Sequence, residues 1–97
     1  MPLFAVIRRR TDAWQDEKDL EDQRAWRAHA DFMDALEADG FALLAGPLTG
    51  SREVLLILQA DDEDKVEARL GADPWTEVGL LETVRISPWN LRIGNLG

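Results

Sequence analysis

His29 is the only histidine in the chain, and it sits where a polar ring has to be accounted for. Trp26, Phe32, Met33 and Leu36 recur around it at the spacing of one helix face, while Arg27, Asp31 and Asp34 fall on the other side. An imidazole buried there unpaired would cost about 1–3 kcal/mol, so a hydrogen-bonding partner must reach it. Asp73 is the most suggestive one. The residue before a proline is pushed out of helical conformation, so Asp73-Pro74 holds a carboxylate at a fixed turn where a second helix stops. A carboxylate that orients an imidazole prepares it for proton transfer as general acid or base. Spacing alone leaves a plainer reading open, in which His29 is a satisfied core residue and Asp73 stabilises its own turn.

Weaker candidates for substrate binding stand around this pair. Arg8 and Arg10 lie just beyond an apolar run, and their rigid donors suit either a substrate carboxylate or phenolate, or surface carboxylates of the chain itself. Ser51 falls in a turn-like connection and either donates into a cleft or stabilises the turn. Trp26 and Trp75 neighbour His29 and Asp73 in sequence, which makes them the better pocket candidates among the four tryptophans. Large aromatics otherwise fill cores and interfaces.

No nucleotide-binding glycine loop, hydrolase elbow or paired metal-ligand cluster occurs. With one histidine and no cysteine, a zinc site would need mainly carboxylates, so no metal and no cofactor are expected. The run Asp61-Asp62-Glu63-Asp64 lacks the alternating ligands and distal glutamate of a calcium loop and reads as helix capping. Nineteen acidic against eleven basic residues give a net charge of −8, which opposes phosphate backbones and anionic membranes. Nucleic acid and membrane are therefore not expected partners, and a small-molecule ligand is. The apolar start of the chain is too short for a signal-peptide core and runs into Arg8-Arg9-Arg10, so the expected location is cytoplasmic.

The elements that must position these residues follow from the hydrophobic pattern. Leu3 to Ile7 reads as a buried strand, and from about Leu20 the spacing turns helical until Asp39-Gly40 ends it. Phe41 to Ala45 and Val54 to Gln59 form a hairpin across a Gly- and Pro-containing connection. A second helix starts at Asp61 or Asp62 and stops near Gly71, an irregular segment runs through Gly79, and Leu80 to Ile86 gives a fourth strand. The order βαββαβ predicts an α+β, ferredoxin-like fold with a four-stranded antiparallel sheet and both helices on one face. One domain is expected over 1–97, with its core at about 3–89 and a tail at 90–97. The strands are apolar at nearly every position, whereas a sheet wet on one side should alternate. That predicts a homodimer through the open sheet face, the alternative being a tail that covers it.

Taken in order, His29 with Phe32, Met33, Leu36 and Gly40, then Leu44-Ala45-Gly46-Pro47, Asp73-Pro74-Trp75 with Gly79-Leu80, and Ser87-Pro88-Trp89 resemble the YCII-related proteins. The resemblance extends from about Leu3 to Trp89. It implies a ferredoxin-like fold assembling as a dimeric α/β barrel, with an active site on a first-helix histidine and the aspartate of the Asp-Pro motif, here His29 and Asp73. The family is also similar in fold to muconolactone isomerases, which implies acid/base work on small, often cyclic or aromatic molecules. The expectation is a small cofactor-independent enzyme of isomerase, lyase or dehydrohalogenase type. The alternative is a non-catalytic small-molecule-binding or regulatory dimeric module.

Overall fold

Alternation along the first strand decides which side chains can meet the helices. The computed structural model describes residues 1–95, and in it β1 spans Leu3–Arg10. Phe4, Val6 and Arg8 on this strand are buried while Leu3, Ala5 and Ile7 are only partly so, the period-two signature of a strand whose two faces differ. The three arginines thus belong to the strand and do not follow it, as the sequence reading had them. Arg8 and Arg10 share the helix-facing parity of Phe4 and Val6, and Arg9 points the other way.

The remaining strands are β2 (Ala42–Pro47), β3 (Glu53–Gln59) and β4 (Leu81–Trp89). They form one antiparallel sheet in the order β2-β3-β1-β4. With α1 (Trp26–Ala38) and α2 (Glu63–Gly71), this is the ferredoxin-like α+β arrangement expected. The central pair β1 and β3 carries the densest apolar content because it has sheet on both sides. β4 continues past its expected end at Ile86, through Pro88 to Trp89. Proline is tolerated there because β4 is an edge strand, and its missing N–H leaves no internal ladder bond unmade.

Phe4, Val6, Leu56 and Leu58 from the sheet pack with Leu36 of α1 and Val66 and Leu70 of α2 to make the main core. A second cluster gathers Trp14, Trp75, Leu80 and Leu81 at the other end of the helical layer, with Trp26 against it. Two helical elements also differ from the sequence reading. The first helix begins at Trp26, not near Leu20, because Ala25 takes a left-handed conformation (φ 62°) that turns the chain at that point. Leu20–Asp22 forms only an isolated helical turn. The segment after Asp73 is not irregular: Pro74–Glu77 makes a short helix, α3, with proline in its first turn, where a missing N–H costs nothing. Gly40 (φ 77°) reverses the chain after α1 and lets Phe41 return to the core. Asn90 to Asn95 of the tail extend beyond β4, and the last two tail residues lie outside the described ones.

Candidate functional site

Asp73 is fully buried, at 0 % exposure, and its two oxygens are shared among three donors. Oδ1 lies 2.8 Å from His29 Nδ1 and accepts from the Trp75 backbone N–H at 3.0 Å. Oδ2 accepts from Arg8 Nη1 at 2.8 Å. Each contact has a structural origin. Asp73 caps α3, which aims the Trp75 N–H at its carboxylate. The second turn of α1 carries His29 over the same point, and helix-facing parity on β1 puts Arg8 beneath it. Arg8 is 1 % exposed, and its second terminal nitrogen donates to Thr76 Oγ1, whose hydroxyl donates in turn to the Leu70 carbonyl.

Burial pushes the Asp73 carboxyl upward, but the bonds from His29, the Trp75 N–H and Arg8 outweigh it and leave the group below the usual carboxylate range. Asp73 is therefore ionised at neutral pH. An ionised carboxylate only accepts, so the proton between the two residues belongs to His29 Nδ1. In the neutral ring that leaves the lone pair on Nε2, which makes no bond to protein among the described residues. The imidazole stacks on the Trp75 indole at 3.7 Å between centroids and 10° between planes. Trp75 is fixed by its own Nε1–H, which donates to the Arg24 carbonyl at 2.7 Å, and by edge contact with Trp14. The ring thus has both its tilt and its tautomer determined.

His29 borders a cavity of about 500 Å³ between the N-terminal half of α1 and the sheet, within the size range of small-molecule sites. Trp26, Ala30 and Met33 continue the helix wall at the spacing of one face, Arg8, Arg10, Val54 and Leu56 form the sheet wall, and Pro47 closes one side. Among the described residues no three histidine, cysteine or acidic side chains converge as a metal site would require. Asp62 instead caps α2, accepting from the Lys65 N–H at 2.9 Å.

Of the residues singled out in the sequence, His29, Asp73, Arg8, Trp26 and Trp75 come together here. Ser51 does not. Its hydroxyl donates to the Leu48 carbonyl at 2.8 Å and accepts from the Glu53 N–H at 3.0 Å, in the exposed β2–β3 turn outside the cavity lining. Arg8 borders the cavity, but both terminal nitrogens are taken by Asp73 and Thr76. The sequence reading passed over Thr76; its position three residues after a capping Asp, in the first turn of a helix, was the available signal.

The chain is thus a ferredoxin-like domain in which an imidazole is held by a buried carboxylate at the wall of an apolar cavity. The sequence model of the YCII-related domain matches residues 3–90, and the chain belongs to that family. Among solved structures, it is similar to 5-chloro-2-hydroxyhydroquinone dehydrochlorinase from Burkholderia phenoliruptrix AC1100, solved as a complex with 2,5-dihydroxybenzoquinone. The two share 22 % identity with a TM-score of 0.64, and the likeness covers 95 % of each chain. That likeness extends the fold assignment over nearly the whole molecule. No curated protein shows significant sequence similarity to it.

Proposed function

We propose that this protein is a small cofactor-independent enzyme that moves a proton on a small organic, often aromatic, molecule, with His29 as general base and acid. The observation that carries this reading is the 2.8 Å hydrogen bond from His29 Nδ1 to the ionised Asp73, at the wall of the cavity. Nε2 takes the proton of an acidic C–H or O–H group. The electron pair of that bond becomes a new π bond, and either a leaving group departs with its own electrons or the proton returns at another atom. The first course is elimination, the reaction class named for the structurally similar dehydrochlorinase; the second is isomerisation. Asp73 keeps the imidazole oriented and stabilises the imidazolium formed in the step without taking its proton. The stacked indole and apolar walls favour a flat substrate. In the same reading the chain works as a cytoplasmic homodimer, its open sheet face closing against a second copy into a dimeric α/β barrel, and Trp26 and Trp75 line the substrate.

The test begins with a thermal-shift screen of phenols, quinones, lactones and small acids. A ligand at 100 times its dissociation constant adds about 2.7 kcal/mol of stability. Turnover of each hit is then compared with His29→Gln. We expect the variant to keep ligand affinity and lose turnover by about 10²–10⁴-fold, the usual contribution of a positioned proton-transfer group. Equal turnover in the two proteins would remove His29 from the chemistry. Ligand binding without turnover in either protein would make the chain a binding module.

A further inference from the structure

The fold leaves the charge of Arg10 unanswered at the cavity wall. Arg9 pairs with Glu82 at 2.6 Å and Arg52 with both oxygens of Asp16 at 3.0 Å. Arg8 is committed to Asp73 and Thr76. Arg10 borders the cavity, and among the described residues its guanidinium has neither an ion-pair nor a hydrogen-bond partner. Other cations of the chain also lack an ion pair, but among the described residues Arg10 is the one of them that borders the cavity. Its position is nevertheless fixed, because the guanidinium carbon lies 4.3 Å from the centroid of the Trp14 ring. A cation–π contact of that kind holds the group through its face and consumes none of its N–H donors. The same wall holds a second unanswered donor: Arg8 Nε–H is buried with no acceptor, a condition that is unfavourable until an acceptor is supplied.

We infer that the cavity selects a small planar organic anion, a carboxylate or phenolate, with Arg10 as the residue that reads its charge. This rests on the reading of the cavity as the substrate site and adds the chemical class of what enters it. The flat body of the anion lies among the rings of Trp26, His29 and Trp75, and its charged oxygens meet a donor fork preset by Trp14. Asp34 is the carboxylate that also borders the cavity, and it lies toward the adjoining hollow beside Met33, Glu37 and Ala45. With Arg8 neutralised by Asp73, the fold leaves the charge of Arg10 on the β1 side of the cavity of a strongly acidic protein. A negatively charged substrate is there drawn to a site that the rest of the surface would repel.

The test is a titration of ¹⁵N-labelled protein at pH 7.5 with salicylate and with its neutral isostere salicylamide. The indole Nε1–H resonances of the four tryptophans are followed in the wild type, Arg10→Gln and Arg10→Lys. Salicylate should move the Trp26 and Trp75 signals and bind about tenfold or more tightly than salicylamide, the scale of a hydrogen bond to a charged group. Arg10→Gln should bring the two affinities together by weakening salicylate alone, and Arg10→Lys should retain part of the preference. An anion preference that survives in Arg10→Gln overturns the inference, as does equal or tighter binding of salicylamide to the wild type. In both cases the indole shifts persist and the cavity remains a ligand site. If neither compound moves those indoles at millimolar concentration, the inference and the substrate-site reading fall together.

Discussion

A carboxylate with no exposure and three donors, two of them cationic when His29 is protonated, is the residue on which the site depends. The folded state holds Asp73 below its ordinary value, so it binds fewer protons than the unfolded chain wherever the two differ. Its contribution to stability is present above the unfolded carboxylate value of about 3.9, and it is lost as pH falls from there through the folded value. The urea midpoint of the wild type should therefore drop below about pH 4 more steeply than that of Asp73→Asn, which has no proton to gain. Parallel profiles would mean that Asp73 is not held ionised. Arg8 answers for the other oxygen. Replacing it by methionine keeps much of the volume but leaves a buried carboxylate without its permanent cation, and breaking a buried pair in this way costs about 3–5 kcal/mol. Urea unfolding of Arg8→Met should show a loss of that size, while loss below about 1 kcal/mol would class the contact with surface pairs.

At the scale of elements, periodicity and turn residues made most of the fold legible. The apolar runs located all four strands, and the 26–29–33–36 spacing located the long helix together with the face that His29 occupies. Asp73-Pro74 marked the end of α2, and it pointed to the carboxylate that meets His29. What pattern could not supply was backbone conformation at single residues. The polar stretch before Trp26 has weak helical spacing, and only the left-handed turn at Ala25 (φ 62°) sets where α1 begins. Alanine gives no signal of such a turn, since glycine, asparagine and aspartate are the usual occupants. Nor could alternation be applied to Arg8 and Arg10 until β1 was known to continue to Arg10, so their shared side was not legible although their types were. The Ala25 conformation costs an L-residue about 1–2 kcal/mol, against about 0.5–1 kcal/mol for the extra freedom of glycine in the unfolded chain. Ala25→Gly should then raise stability by about 0.5–1 kcal/mol by urea unfolding, and a loss would mean that the methyl group's packing beside Trp26 and Trp75 matters more than backbone strain.

For the whole molecule, the open question is what covers the sheet face that the helices do not. Register places Leu3, Ala5 and Ile7 of β1 on that face, beside Leu55 and Ile57 of β3 and Leu44 of β2. Leu44 is 55 % exposed and Trp89, opposite Leu3, is 39 % exposed. Antiparallel sheets that face water place polar residues on the wet side, and these central strands do so only at their ends, with Arg9, Glu53 and Gln59. A contiguous apolar surface of this kind marks an interface, and a two-fold axis satisfies it with one patch used twice. Light scattering after size exclusion should give a mass of twice 10.9 kDa. Two carboxylates placed in the face by Leu44→Glu with Leu55→Glu should return the mass to one chain, because like charges would meet their own copies across the axis. Both positions point away from the main core, so far-ultraviolet dichroism should be unchanged. The same variant also separates assembly from chemistry. If the cavity is complete within one chain, salicylate affinity survives in the monomer. If affinity falls with the mass, the second copy is holding α1 and the sheet at the spacing the ligand needs. A wild type that already runs as one chain would instead require the tail beyond Trp89 to shield the face.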